Sequence, residues 1–239
     1  MDRIEESIKY QFNEFKNNYN LDDNKVYKLY SLKIESIFKY LFLINLFTSR
    51  IEFKKIFSAQ YHKIAFSCLI EAYILVLDNR VRAANLVLRS SIENFIKQII
   101  KTISVDECVN DKVYNINKSK LDKMLEQYNE YFDKKGKGLN TYFEREYGKL
   151  SGISHSLTNK SIENIIMAIN DLEKINTHAI TSTLDEFEEI TKNMFEFLII
   201  ACHKKLKCWD NENLREIFRL AFGEKKIENM IRNIKSETL

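Results

Sequence analysis

Apolar residues recur every three to four positions along most of the chain, which is the spacing of one side of an α-helix. Ile4, Ile8, Phe12 and Phe15 follow this period near the start. The same pattern predicts further helices at about 24–47, 52–77, 80–104, 119–132, 139–156, 162–177 and 183–208. Two polar stretches, 104–119 and 133–138, contain Asp, Asn or Gly and are predicted to be loops.

A last amphipathic segment follows Trp209, and its apolar residues are Leu214, Ile217, Phe218 and Ala221. This tail is predicted to pack either on the bundle or on a partner chain. We therefore divide the chain into a helical bundle domain, 1–209, and a C-terminal helical appendage, 210–239. Because the apolar sides of bundle helices must be covered, a homodimer is also expected.

The composition supports long helices with few connections. The 239 residues include no proline and only five glycines, whereas average usage is about 5% and 7%. Sandwiches, barrels and βα loops need these residues in their turns. The prediction is an all-α helical bundle of about seven to nine helices, with more than about two thirds of the residues helical.

Charge and cysteine usage narrow the function classes. The net charge of +3 comes from 37 basic and 34 acidic side chains and indicates a mixed surface, not the concentrated basic patch of many nucleic-acid-binding domains. The opening residues lack the order of a secretory signal, and no apolar run reaches the length of a membrane span. A cytoplasmic protein without membrane association is expected.

In CHKKLKC, Cys202 and Cys208 would point apart on a helix, so neither a metal nor another cofactor is predicted.

The predicted helix at 80–104 carries charged residues beside its apolar stripe of Ala84, Leu88, Ile92, Phe95 and Ile99. Arg82, Arg89 and Glu93 line up on one side of this helix, at spacings of seven and four residues. Two interpretations are open: Arg89 and Glu93 form a structural ion pair, or they belong to one side of a functional site.

A second polar strip lies in LNTYFEREYGKLSGISHS, where Tyr147, Ser151 and His155 follow each other at intervals of four. Gly148 and Gly152 accompany them, although a glycine inside a helix costs about 0.5 to 1 kcal/mol relative to alanine. We expect the glycines either to let the helix of Arg89 and Glu93 approach closely or to leave a depression beside His155. Close approach would gather the two polar strips into one cluster.

Together, RAANLVLRSSIENFIK and YGKLSGISHS resemble helical-bundle domains of the HEPN superfamily, over roughly residues 55–205. The resemblance implies a bundle of four or five helices, frequently dimeric and common in toxins and in abortive-infection proteins of antiphage defence. Many such proteins are metal-independent ribonucleases, in which an Arg and a His four to six residues apart form the catalytic pair. This chain departs from that pair, because Lys149 stands where an arginine would precede His155.

The chemistry of metal-free RNA cleavage assigns an expected role to each residue. His155 would move protons, because an unperturbed histidine pKa lies near neutrality. Arg89 or Lys149 would supply the cation beside the phosphorus, Tyr147 or Ser151 would orient the imidazole, and Glu93 belongs to the same catalytic cluster. The predicted substrate-binding residues, which would hold or steer an RNA backbone, are Lys149, Ser151, Lys134, Lys135, Lys137 and Arg82.

Under a second interpretation, the protein is a non-catalytic helical bundle and not an enzyme. The same polar residues would then form a buried network that fixes the register of the helices. The protein would be a non-catalytic sensor, or would bind a partner protein encoded nearby. Convergence of Arg89, Glu93, Tyr147 and His155 at an open cleft would favour the enzyme.

Overall fold

The structure is a computed structural model that describes residues 3–154 and 176–236. Helices account for 86% of these residues, and no strand occurs among them. The prediction of an all-α bundle that is more than two thirds helical is confirmed, but the described residues alone form ten α-helices, more than the seven to nine predicted. The described helices are α1 (Arg3–Asn18), α2 (Lys25–Thr48), α3 (Ile51–Phe57), α4 (Gln60–Leu77), α5 (Val81–Ile103), α6 (Tyr114–Leu125), α7 (Glu130–Ser154), α8 (Thr177–Leu206), α9 (Asn211–Phe222) and α10 (Glu224–Ser236). None of them is both long enough and apolar enough to cross a lipid bilayer.

The predicted boundaries fail in two opposite ways: a helix breaks without glycine or proline, and a glycine-containing stretch predicted as a loop is helical. The predicted helix 52–77 is two helices, since Ala59 takes an extended conformation (φ −65°, ψ 154°) between α3 and α4. The predicted loop 133–138 lies inside α7, which begins earlier, where the Asn129 side chain accepts a hydrogen bond from the backbone N–H of Phe132 at 3.0 Å. Nearly all of the predicted helix 162–177 lies outside the described residues.

Gly136 shows why a glycine-containing stretch continues as helix. A Cβ at this position would lie 2.7 Å from Cδ2 of Leu125, a fully buried residue at the end of α6. The missing side chain lets α7 pass close to α6 directly after the turn that joins them. This glycine therefore serves helix packing and does not mark a loop.

Helix α5 lies at the centre of the bundle and contacts α4, α6, α7 and α8. Its predicted apolar stripe is confirmed, because Ala84, Leu88, Ile92 and Ile99 are fully buried. The turn from α4 into α5 uses Asn79 in a left-handed conformation (φ 60°), which asparagine tolerates better than most residues. The polar residues of α5 thus lie on a rigid element at the middle of the fold.

The C-terminal helices α9 and α10 form a hairpin that packs on the same chain. Asp210 caps α9 by accepting hydrogen bonds from the backbone of Glu212 and Asn213, and Gly223 (φ 72°) separates the two helices. The hydroxyl of Tyr40 on α2 donates to the carbonyl of Ala221 at 2.8 Å. Since the apolar side of the tail is already buried, the tail itself does not require a partner chain, and the homodimer stays a prediction.

Candidate functional site

Arg89 of α5 is held between two hydroxyl groups of α7. Its Nε donates to Oγ of Ser151 at 2.7 Å, and its Nη2 donates to the hydroxyl of Tyr147 at 2.5 Å. The guanidinium carbon also lies 4.6 Å from the centroid of the Tyr147 ring. Tyr147 and Ser151 reach the same side chain because residues four apart lie on one side of a helix. Arg89 of the first polar strip therefore meets Tyr147 and Ser151 of the second.

The charge of Arg89 is not matched by an acid among the described residues, where no carboxylate lies within 4.0 Å of its guanidinium. Two neutral hydroxyls and an aromatic face stabilise the cation without cancelling its charge. Arg89 is half-buried and keeps N–H groups beyond the two that these bonds use. Tyr147 accepts from Arg89, so its own hydroxyl hydrogen remains available to a ligand. Together these donors can bind an anion such as a phosphate.

The ring of Tyr147 is held from the other side by Tyr114, the first residue of α6. The two rings are stacked, with centroids 4.1 Å apart and planes 6° apart. Tyr114 is 5% exposed, and its hydroxyl has no hydrogen-bond partner among the described residues. Burial, with a smaller contribution from Glu144, raises the pKa of Tyr114 above its ordinary range. Tyr114 falls in the predicted loop 104–119, so no helical spacing marked it as a neighbour of Tyr147.

Glu93 does not pair with Arg89, so the predicted ion pair is wrong. Its carboxylate lies 3.1 Å from Nζ of Lys97, one helical turn further along α5. Lys97 is only 5% exposed and lies 3.6 Å from Asp111, which also accepts a hydrogen bond from Tyr61. A buried ammonium needs a carboxylate more than a half-buried guanidinium with two hydroxyl partners does. Glu93 therefore neutralises Lys97 and is not part of the Arg89 cluster.

The predicted substrate-binding lysines lie on α7, and most of them are in ion pairs. Nζ of Lys135 lies 2.6 Å from Glu196, and Nζ of Lys137 lies 3.0 Å from Asp133. Lys149 lies 3.0 Å from the buried carboxylate of Glu146. These pairs offset much of the positive charge that was expected to steer RNA. Lys134 on α7 and Arg82 in the first turn of α5 are exposed.

The explanation given for the glycines beside Tyr147 fails at Gly148. A Cβ built there would meet nothing within 4 Å, and the residue is exposed. Close approach of α5 therefore does not need this glycine, because the long side chain of Arg89 spans the gap to α7. Gly152 follows one turn later in α7, and its predicted role is untested. His155 lies outside the described residues.

No group of three or more His, Cys, Asp or Glu side chains is placed to hold a metal ion within 3–154 and 176–236. Of the CHKKLKC residues, Cys202 and His203 are buried inside α8 and Cys208 is exposed.

Comparison of the chain with protein-family models, with curated proteins and with solved structures finds no match in any of the three.

Proposed function

We propose that the protein is a cytoplasmic toxin or antiphage-defence effector that acts on RNA as a metal-independent endoribonuclease. The observation that supports this most is Arg89, a half-buried cation at which no described carboxylate lies within 4.0 Å. Guanidinium groups bind phosphate through paired N–H donors. The defence role follows from the resemblance of the α5 and α7 motifs to HEPN-type bundles.

In this proposal the Arg89 cluster holds the scissile phosphate. Arg89 stabilises the negative charge that develops on the phosphate oxygens, and the Tyr147 hydroxyl donates a second hydrogen bond to the same group. The stacked Tyr114 ring fixes the direction of that hydroxyl. Arg89 and Tyr147 hold each other in place through their hydrogen bond and the contact of the guanidinium with the ring.

Proton transfer is assigned to His155, which follows Ser151 by four residues in the sequence. The 2′-hydroxyl of RNA must lose a proton as it attacks phosphorus, and the departing 5′-oxygen must gain one. A histidine performs both steps near neutral pH, and general acid–base catalysis contributes about 10² to 10⁴ in rate. Lys149 is a weaker source of the cation than Arg89, because Glu146 already pairs with it.

The second candidate is a non-catalytic bundle that binds a partner protein. The ion pairs of Lys135, Lys137 and Lys149 favour it, because they leave less positive charge on α7 for an RNA backbone. The pairing of Glu93 with buried Lys97 is likewise structural. In this candidate, the Arg89 cluster fixes the register of α5 and α7.

RNA cleavage by the purified protein in the presence of EDTA distinguishes the two candidates. The wild type is expected to cut a fluorescently labelled RNA, and His155→Ala and Arg89→Met each to lose about 100-fold or more in rate. Lys54→Met, at an exposed position of α3, is the matched control and is expected to cut like the wild type. Circular dichroism checks that each variant is folded. Absence of cleavage by the wild type, or unchanged cleavage by His155→Ala, would reject the ribonuclease and leave the partner-binding candidate.

A further inference from the structure

A groove separate from the Arg89 cluster runs between α1, α2 and the end of α9. It has a volume of about 750 Å³, within the range of small-molecule sites. The residues of α1 that line it extend from Glu5 to Lys16, which corresponds to about 16 Å of helix. Its apolar lining comes from Ile8, Phe12, Leu32 and Leu220. Leu32 is 82% exposed, so a large apolar side chain stands uncovered at this groove.

Lys39 lines the groove and carries a positive charge without an ion-pair partner among the described residues. Its Nζ lies 4.6 Å from the ring centroid of buried Tyr40. The nearby carboxylate of Glu188 acts to raise the pKa of Lys39. Its two oxygens, however, already accept hydrogen bonds from Lys33 at 2.7 Å and Ser36 at 2.5 Å. Burial lowers the pKa of Lys39 below its ordinary value, as expected for an ammonium that lacks a close anionic partner.

Other charged residues of the groove already have partners. Lys9 lies 2.8 Å from Glu5, and Lys16 lies 2.8 Å from Asp22. The carboxylate of Glu35 accepts a hydrogen bond from Tyr27 at 3.0 Å. A ligand with several charges would have to break these contacts, whereas a ligand with one negative charge needs only Lys39. The apolar lining accommodates an uncharged hydrocarbon body.

We propose that this groove binds a single-chain amphiphile with one carboxylate, such as a fatty acid anion. The carboxylate pairs with the ammonium of Lys39, and the alkyl chain covers Leu32, Ile8 and Phe12. The pairing supplies the anionic partner that Lys39 lacks, and the chain removes exposed apolar surface from water. The site is independent of the Arg89 cluster, so it stands whether or not the protein cleaves RNA.

Titration calorimetry with the full-length protein at pH 7 tests the proposal, using dodecanoate below its micellar concentration as the probe. One-site binding is expected for dodecanoate, at least tenfold weaker binding for dodecanol, and none for dodecyltrimethylammonium. Lys39→Met and Leu32→Asp are each expected to weaken dodecanoate binding at least tenfold, while Lys39→Arg largely restores it. Lys54→Met is the control and is expected to bind like the wild type.

Three results would overturn the proposal. They are no binding of dodecanoate by the wild type, equal binding of the cationic amphiphile, and unchanged binding by a folded Lys39→Met variant. Equal binding of the cationic amphiphile would indicate that amphiphiles coat apolar surface nonspecifically. Unchanged binding by Lys39→Met would indicate that dodecanoate binds elsewhere on the protein. Leu32→Asp does not disturb the core, because Leu32 is exposed. If Lys39→Met fails to fold, unchanged binding by Leu32→Asp would overturn the proposal in its place. Sedimentation supplies one more contrary result: self-association that Leu32→Asp abolishes and dodecanoate leaves unchanged, because a second copy would then occupy the groove.

Discussion

Arg89 on α5 and Tyr147 on α7 contact each other twice, through a hydrogen bond of 2.5 Å and through the face of the aromatic ring at 4.6 Å. The two residues are 58 positions apart in the chain. Their contact joins the central helix to the helix with the YGKLSG motif, and it commits neither side chain to a carboxylate among the described residues. It is thus both a packing contact and a potential anion site.

A double-mutant cycle with Arg89→Met and Tyr147→Phe measures this contact. Each single change is expected to lower the free energy of unfolding by about 1 to 2 kcal/mol, with a coupling of about 0.5 to 2 kcal/mol. Urea denaturation gives both quantities. The control cycle, Arg215→Met with Glu228→Gln, removes an exposed ion pair and is expected to show a coupling near zero. Additive effects at Arg89 and Tyr147 would contradict the structural description.

Substitution by alanine is expected to have opposite effects on stability at two glycines of α7, Gly136 and Gly148. Gly136→Ala is expected to destabilise the fold by about 1 to 2 kcal/mol, because its Cβ would approach Leu125 too closely. Gly148→Ala is expected to stabilise it by about 0.5 to 1 kcal/mol, because the added methyl meets nothing and the helix gains propensity. Thermal unfolding of both variants is the measurement. A destabilising Gly148→Ala would restore the view that this glycine allows close packing.

The folded protein is expected to lose stability in mild acid, because His62 is largely buried. Burial beside Phe57 and Phe66 lowers its pKa to about 4, whereas the ordinary value is about 6.5. The unfolded chain therefore binds a proton more readily between these values, and the free energy of unfolding falls as the pH drops through this window, by up to about 3 kcal/mol.

Urea midpoints measured from pH 7.5 to 4.5 test this expectation. His62→Phe should flatten the pH profile, since it keeps an aromatic ring and removes the titration. Gln60→Ala, at an exposed position without a titratable group, serves as the control and should leave the wild-type profile unchanged. Parallel profiles for the wild type and His62→Phe would count against the assignment.

The C-terminal hairpin is expected to unfold together with the bundle. Phe218 of α9 is 1% exposed in the same apolar core as α5, so Phe218→Ala is expected to cost about 3 to 5 kcal/mol and to shift one cooperative transition. Glu212→Ala, at an exposed position of α9, is the control. Two separate transitions in circular dichroism would instead support an independent appendage over 210–239.

The sequence by itself determined the fold class, because the period of its apolar residues and the lack of proline favour long helices. The stripe of α5, including Leu88 and Ile92, is the buried one that the pattern predicted. The spacing of Tyr147 and Ser151 likewise predicted that both would lie on one side of a helix. Helix periodicity is a local property, so it can be read without knowing the rest of the fold.

Only the tertiary structure decided which charges pair. Arg89 and Lys97 stand at equal distances on either side of Glu93 in the sequence, and the burial of Lys97 selects it as the partner. Tyr114 reaches Tyr147 from a stretch that looked like a loop, and the half-buried Lys39 had no local pattern to distinguish it. Burial depends on how the helices assemble, and it sets the energetic cost of leaving a charge unmatched, so these relationships could not be predicted from spacing alone.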